Sequence, residues 1–400
     1  MQNHQRAVLT ALSPLILSSL AVAQGPVFQT PGMGGANYST LEDSQTSRFS
    51  SLFNPAFSFV VDAIADHVDW SGRSQDGFNL ELRTLELAAQ AWIDPNAWAY
   101  FIAATDGEEF GVEEAAIHYV GFEGNQTLRA GRFFLDFGRQ MQTHVHELRT
   151  VERPLVLRAY LGAEVAGDGV QWDDWRPIGD RTVLRWSLGV FASLLPEEEE
   201  YFEDPARDVE DRKEGGDLNY SARLTGFTEL SDSSTFQAGG SARVVPNYGL
   251  EFEATGDRET DLSSLVWGLD ATYGWVDETG QRTWTAGAEL LVSTGDVGAE
   301  NPAPGVVNVI DGSATGYFAF LDHGWNRFNS AGFQYSEAEL PDAGSTRASE
   351  IELYYRHGLS EFHRLRFGVG FADMEAGEDS VRFVVQYTGV LGAHGHGVNW

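Results

Sequence analysis

The alternation of apolar with polar or small residues constrains this chain more than any other feature of its sequence. It begins at Ala56 and continues almost to the end of the 400 residues. Residues 262–277, for example, place on one face the apolar set Leu265, Trp267, Leu269, Ala271, Tyr273 and Trp275. A period of two over this length predicts β-strands with one apolar and one polar face. No segment shows the period of a long amphipathic helix.

Sixteen segments with this pattern follow one another along the chain. They are residues 56–67, 78–93, 98–105, 112–122, 127–137, 168–178, 182–195, 217–230, 235–247, 262–277, 282–295, 313–323, 328–340, 348–358, 363–374 and 380–392. Tight connections alternate with longer ones. The tight connections are 94–97, 123–126, 179–180, 231–234, 278–281, 325–327 and 359–362, and the longer ones are 138–167, 196–216, 248–261 and 296–312.

This organisation predicts an all-β fold over residues 55–400, a transmembrane antiparallel up-and-down β-barrel of about 16 strands. The short turns would be periplasmic and the long loops extracellular. Tryptophans flank several tight turns, as in the aromatic belts at membrane interfaces. The alternative is a secreted β-sandwich, whose strands are usually only about 5–6 residues long.

The amino-terminal residues 1–23 have the pattern of a secretory signal peptide. Arg6 precedes an apolar run that ends at Leu20, and Ala21-Val22-Ala23 forms a cleavage site. Residues 24–54 are rich in Gly, Pro, Ser and Thr and are predicted to form a flexible leader. With the terminal Trp400, these features predict export and insertion into the outer membrane by its assembly machinery. The expected surroundings are membrane lipid and lipopolysaccharide.

The formal charge of −33 argues against nucleic acid as a partner, because nucleic acid binding needs a basic face. Much of the negative charge lies in residues 196–216, which read PEEEEYFEDPARDVEDRKEGG after Leu195. This stretch could attract cations at a pore mouth, but a solvated surface loop explains it as well. The net charge therefore does not predict an ion preference.

The polar faces of the predicted strands would line the lumen. The predicted pore-wall residues are Arg185, Arg223, Arg243, Asp270, Glu289, Arg356, Arg364, Arg366 and Arg382. A charged wall in a barrel of this width predicts a water-filled channel with an electrostatic preference among solutes. Any one of these arginines could instead pair with a neighbouring carboxylate and only stabilise the wall.

The long loop 138–167 follows the fifth predicted strand, and in sixteen-stranded general porins that connection folds into the barrel and narrows it. The loop contains many charges of both signs, as a constriction would. The predicted constriction residues are Arg139, His144, His146, Glu147, Arg149, Glu152, Arg153 and Arg158.

The spacing of His144 and His146 also suggests a metal site, because residues i and i+2 of a strand share a face. Zinc sites need three or four ligands, and the sequence has no CxxC or HExxH motif to supply them. A polar lining of the constriction is the favoured interpretation, with metal binding by this pair as the minority alternative. No GxSxG motif or similar catalytic pattern is present. The chain is therefore predicted not to be an enzyme and to need no cofactor.

Several stretches resemble one group of proteins: NPAFSFVVD (54–62), TLRAGRFFLDFG (127–138), HVHELRTVERPLVLRAYLGAE (144–164) and LGAHGHG (391–397). They are similar to outer-membrane proteins related to the phosphate-selective porin O/P family, some of which are labelled zinc-regulated outer-membrane receptors. The resemblance implies a sixteen-stranded barrel, usually a homotrimer, that passes small hydrophilic solutes. Unlike the phosphate-selective members, which have dense ladders of arginine and lysine, this chain has a single lysine, Lys213.

These observations predict an outer-membrane porin for passive diffusion of small hydrophilic solutes or ions. The alternative is a non-porin outer-membrane barrel that binds a metal ion or serves as a structural surface protein.

Overall fold

The computed structural model describes residues 55–70, 76–108, 110–162, 164–194, 201–202, 215–252, 257–300, 307–340, 346–374 and 379–392. The predicted signal peptide (1–23) and leader (24–54) lie outside these ranges. Most of the acidic stretch 196–216, the second histidine pair (His394 and His396) and Trp400 also lie outside them.

Sixteen strands form the wall. They are β1 (Ala56–Trp70), β2 (Gly77–Asp94), β3 (Ala97–Thr105), β4 (Phe110–Tyr119), β5 (Thr127–Phe134), β6 (Ala166–Ile178), β7 (Thr182–Phe191), β8 (Asn219–Ser231), β9 (Ser234–Phe252), β10 (Asp257–Val276), β11 (Thr283–Glu300), β12 (Val307–Asn326), β13 (Asn329–Leu340), β14 (Thr346–Gly358), β15 (His363–Met374) and β16 (Ser380–Gly392). A two-residue strand, Tyr201–Phe202, pairs with β9. Between β5 and β6 lie a 3-10 turn, Val145–Glu147, and helix α1, Leu155–Leu161. In the described ranges, no helix has the length and apolar character needed to cross a membrane.

Every strand is antiparallel to its neighbours in sequence, and β16 pairs with β1 from Ser58 opposite Gly392 to Trp70 opposite Ser380. This last pairing closes the sheet into a barrel. At the closing seam Asp62 of β1 accepts hydrogen bonds of 2.6 Å from both Gln386 and Thr388 of β16. The prediction of a closed antiparallel barrel of 16 strands is therefore confirmed.

The outer surface of the barrel is apolar. On β10, Leu265, Trp267 and Leu269 are 37–55% exposed, whereas Asp270 and Thr272 on the opposite face are buried. The other strands repeat the pattern, with exposed apolar side chains such as Phe101, Leu188, Leu290, Phe333, Leu353 and Phe383. A closed barrel with an apolar outer band is the architecture of the outer membrane, and this chain is located there.

Several strand ends differ from the sequence prediction, and two of the differences affect the connections. Strands β9 to β12 extend further than predicted, so that most of the described part of the predicted loops 248–261 and 296–312 is strand. The added strand residues, such as 257–261 (DRETD) and 296–300 (DVGAE), are rich in polar residues and glycine, which weakens the alternation that the prediction relied on. Strand β5 stops at Phe134 rather than at residue 137, because the chain there leaves the wall and turns into the barrel.

Candidate functional site

The chain between β5 and β6 lies inside the barrel. We call residues 135–165 the inserted segment. The backbone N–H of Gly138 donates to Ser241 Oγ of β9 at 3.0 Å, and the N–H of Val151 donates to Glu352 of β14 at 3.1 Å. Because β9 and β14 lie far apart around the wall, the inserted segment crosses the lumen rather than following one side of it.

Two glycines lie near the ends of the inserted segment. Gly138 has φ of +53°, and a Cβ at this position would overlap the carboxylate of Glu289. Gly162 has φ of +76° and caps α1, donating to the carbonyl of Arg158 at 3.1 Å. A left-handed backbone conformation at a position with no room for a side chain is accessible mainly to glycine. The two glycines therefore allow the sharp turns by which the chain enters and leaves the lumen.

The inserted segment packs part of the lumen as an apolar core. Leu155, Leu157 and Leu161 of α1 are fully buried in one cluster with Phe318 of β12. The wall opposite α1 has Gly316, where a Cβ would be only 2.6 Å from Val156 Cγ2. Sequence reasoning missed this core, although the apolar run LVLRAYL in a loop predicted to be polar is a signal for it.

The predicted pore-wall arginines on β7 and β8 face carboxylates. Arg185 contacts Asp136 of the inserted segment at 2.7 Å and also pairs with Asp173. Arg223 reaches Asp270 at 2.9 Å and Asp136 at 3.6 Å. Burial alone would raise the pKa of Asp136, but Arg185 and Arg223 outweigh it and hold this pKa at about 2.

Three further pore-wall arginines anchor the inserted segment or its surroundings. Arg366 of β15 is 1% exposed. Its guanidinium group donates to the carbonyl of Thr150 at 3.0 Å and to the carbonyl of Leu148, and it also donates to the side chain of Gln386. Arg382 of β16 bridges Asp66 at 2.7 Å and Glu152 at 3.2 Å. Arg243 of β9 donates to Ser264 Oγ at 3.2 Å and to the carbonyls of Leu194 and Tyr160.

The predicted constriction residues lie together in the inserted segment, but most are engaged with the wall or with the segment itself. Arg158 pairs with Glu350 of β14, and Arg149 lies 4.0 Å over the ring of Phe320. Arg139 donates to Gln237 of β9 at 2.8 Å. Burial and the nearby Arg149 lower the pKa of Arg139 to about 10.

Two further constriction residues hold the inserted segment in place, Arg153 within the segment and Glu152 against the wall. Arg153 donates to the carbonyls of Gln140 and Thr143 and pairs with Glu164 at 2.7 Å, which ties the two halves of the segment together. Glu152 accepts from Arg83 of β2 at 3.3 Å as well as from Arg382. Burial would raise the pKa of Glu152, but these two guanidinium groups lower it below its usual value.

His144 and His146 meet Glu86 of β2. Nδ1 of His144 lies 3.2 Å and Nδ1 of His146 lies 3.7 Å from the same carboxylate oxygen, Glu86 Oε2. The backbone here is not the strand assumed in the sequence analysis. His144 is extended, with φ −57° and ψ 145°, and His146 lies in the 3-10 turn that follows. The two rings nevertheless converge, with centroids 4.7 Å apart.

A cavity of about 420 Å³ opens at the end of the barrel that carries the short turns. His146 and Glu147 of the inserted segment form part of its lining, together with the wall residues Arg356 and Arg364. The predicted pore-wall residues Arg356 and Arg364 therefore face a space large enough for a small solute.

No family model matches this chain, and no curated protein matches its sequence. Solved structures do share its fold. OprB of Pseudomonas putida has a TM-score of 0.55 at 11% identity and covers 84% of this chain and 94% of its own. An anion-selective porin from Comamonas acidovorans has a TM-score of 0.54 at 12% identity, covering 84% and 99%. The fold is that of an outer-membrane porin-like barrel.

The loop-deletion mutant of OmpT, an outer membrane protein of Vibrio cholerae, also has this barrel, with a TM-score of 0.54 at 9% identity over 85% of this chain and 100% of its own. The prediction that the chain is not an enzyme is wrong. It rested on the absence of catalytic sequence motifs, and the barrel that the chain shares with the OmpT proteins leaves an enzymatic activity open. Sequence identities of 9–12% show a shared fold and nothing more specific. The more specific resemblance to the phosphate-selective group therefore stays a prediction.

Glu86 is the residue of this site that the sequence analysis did not single out as a partner for the histidines. It could be predicted to face the lumen but not to meet the histidines, because 58 residues separate it from His144. Its inward direction follows from the alternation on β2, but its position opposite the histidines depends on how the inserted segment crosses the lumen.

Proposed function

We propose that this protein is an outer-membrane channel for small hydrophilic solutes or ions, with the inserted segment as its constriction. The observation that carries the proposal is the inserted segment itself, which crosses a lumen lined by charged side chains. A closed barrel with a polar interior provides an aqueous route, and an inward-folded segment limits the size of what passes.

The cavity beside the inserted segment supports a route that begins at the end with the short turns. Arg356 and Arg364 line it together with Glu147, so that a solute entering there meets charges of both signs. Deeper in the lumen, the side chains of Arg185 and Arg382 keep 21% and 19% of their surface exposed. These groups are placed to contact a permeating solute.

Recording from planar bilayers tests the proposal. The purified, folded protein should give discrete conductance steps, and a folded preparation that gives none would contradict it. Replacing both cavity arginines, Arg356→Gln with Arg364→Gln, should shift the reversal potential in a salt gradient toward cations. The matched control is Arg181→Gln, an exposed turn arginine that pairs with Asp232 and should leave the reversal potential unchanged.

A pair of cysteines can test the constriction directly, since the chain has no cysteine of its own. The hydroxyl of Ser336 on β13 accepts from the backbone N–H of Val156 at 3.1 Å, which is close enough for Val156→Cys with Ser336→Cys to form a disulfide that fastens α1 to β13. If the inserted segment moves to admit solutes, oxidation should lower the conductance and reduction should restore it. Equal conductance in the oxidised and the reduced protein would mean that solutes pass the inserted segment without any movement of it.

The apolar core inside the lumen favours a second candidate, a barrel with a structural role and no conducting path. The cluster of α1 with Phe318 and its neighbours resembles a protein interior more than a channel lining. The same bilayer recordings separate the two candidates.

For the assembly, we infer a homotrimer. The inference is supported by the trimer form in which OmpT of Vibrio cholerae, a protein with this barrel fold, has been solved. Native mass measurement of the protein in detergent should give three times the mass of the mature chain, and a monomeric mass would contradict the inference.

A further inference from the structure

We propose that Glu86, His144 and His146 form a buried zinc-binding site that fastens the inserted segment to the barrel wall. The three side chains come from two parts of the chain: the histidines from the inserted segment and the carboxylate from β2. Each residue offers a ligand atom, and these atoms all lie within 4.8 Å of one another. Nothing in the channel proposal requires this site.

The distances fit one tetrahedral ion. Zinc bonds to imidazole nitrogen and carboxylate oxygen of about 2.0–2.2 Å place neighbouring ligand atoms about 3.3 Å apart in a tetrahedron. Glu86 Oε2 lies 3.2 Å from Nδ1 of His144 and 3.7 Å from Nδ1 of His146. Two edges of a tetrahedral face are therefore close to the required spacing, the ligand atoms of the two histidines lie within 4.8 Å of each other, and side-chain rotations would complete the geometry.

The surrounding charge also favours a cation. Glu114, Glu147 and Glu164 all lie close enough to interact electrostatically with Glu86. Among the described residues, Oε1 of Glu86 and both carboxylate oxygens of Glu113 accept no hydrogen bond, although these atoms are buried. Arg153 compensates part of this charge through its ion pair with Glu164. A divalent ion would neutralise more of a buried cluster that is otherwise costly.

The donor set points to zinc among the common divalent ions. Two imidazoles with one carboxylate suit zinc, whereas calcium and magnesium require six or more oxygen ligands. Both histidines and the glutamate are at most 1% exposed in their side chains. A bound ion would therefore be shielded from bulk water, and a single water molecule or a neighbouring carboxylate would supply the fourth ligand of the tetrahedron.

The test measures zinc binding to the folded, metal-free protein in detergent, prepared without a histidine tag. The wild type is expected to bind about one zinc ion that exchanges slowly with chelator. The variant His144→Ala with His146→Ala should lose that ion. The matched control is His394→Ala with His396→Ala, the second His-x-His pair of the chain, which should retain it.

The variant Glu86→Gln decides the outcome if the double histidine variant fails to fold. It keeps the shape of the side chain and removes the charge, and it should weaken zinc binding by about tenfold or more. Zinc should also raise the midpoint of thermal unfolding in the wild type and not in Glu86→Gln. Any of three results would overturn the proposal. The wild type could bind no zinc, the folded His144→Ala with His146→Ala variant could retain its zinc, or only the His394→Ala with His396→Ala variant could lose it.

Discussion

Arg366 shows how one side chain connects the wall to the inserted segment. The alternation of residues on β15 predicts that the side chain of Arg366 points into the barrel. In the structure it does so, with 1% of its surface exposed. Its partners could not be predicted, because Leu148 is 218 residues away in sequence. Periodicity gives the direction of a side chain from the wall, whereas the identity of its partner depends on the path of the inserted segment.

Replacing Arg366 by methionine should release the middle of the inserted segment. The substitution leaves the carbonyls of Leu148 and Thr150 without this donor, and each such loss costs about 1–3 kcal/mol. The wall strands should stay paired, since their backbone hydrogen bonds do not involve this side chain. Trypsin offers the measurement: cleavage after Arg149, which lies between the two released carbonyls, should become faster in Arg366→Met than in the wild type.

The matched control for that experiment is Arg327→Met. Arg327 pairs with Glu361 between two turns and keeps 63% of its side chain exposed. An exposed ion pair contributes little to stability. Tryptic cleavage at the wild-type rate in Arg366→Met would show that other contacts hold the segment without it.

The inserted segment is the element that sequence analysis predicted least completely. A connection at 138–167 was predicted to enter the barrel, and the structure contains such a segment between Gly138 and Gly162. Helix α1 was missed because six of its seven residues, all but Arg158, are hydrophobic, so that the helix shows no amphipathic period. The sequence of an element buried on every side does not indicate which neighbours surround it.

The attachment of the inserted segment at Asp136 should depend on pH. Its pKa is about 2 in the folded chain and about 3.9 when unfolded, so the ionised carboxylate stabilises the fold by about 2–3 kcal/mol above pH ~4. This contribution should disappear as the pH falls from about 4 to about 2. The measurement compares the free energy of unfolding of the wild type with that of Asp136→Asn across this range.

Asp180→Asn is a suitable control for this pH dependence, because Asp180 is exposed in a tight turn. Its free energy of unfolding should follow the wild type at every pH. If the difference between the wild type and Asp136→Asn stays constant from pH 6 to pH 2, Arg185 and Arg223 do not stabilise the charge of Asp136.

At the scale of the whole molecule, the architecture was largely predictable from the sequence. All sixteen predicted strands exist, and the apolar faces of β10 and β11 point outward as the alternation indicates. Strand counting succeeds because each strand must satisfy the same two environments, lipid outside and polar groups inside. The contents of the lumen were not predictable, since they arise from contacts between the inserted segment and strands distant in sequence.

The closing seam should be the sensitive point of the wall. Asp62 of β1 is fully buried and accepts hydrogen bonds from Gln386 and Thr388 of β16. In Asp62→Ala these two groups lose their acceptor, which should cost about 2–4 kcal/mol in the free energy of unfolding. Urea unfolding in lipid vesicles measures the loss. The control Asp232→Ala removes an exposed turn carboxylate and should change stability by less than about 1 kcal/mol.

The position of the inserted segment also links the interior of the barrel to the last part of the chain. The segment precedes β6 to β16 in the chain, yet it bonds to β14 and β15, and the pairing of β16 with β1 encloses it. These bonds need strands that are synthesised about 200 residues after the segment. Contacts of such long sequence separation form slowly. Completing the interior is thus a late step of folding, whereas the hairpins of the wall need only their neighbours.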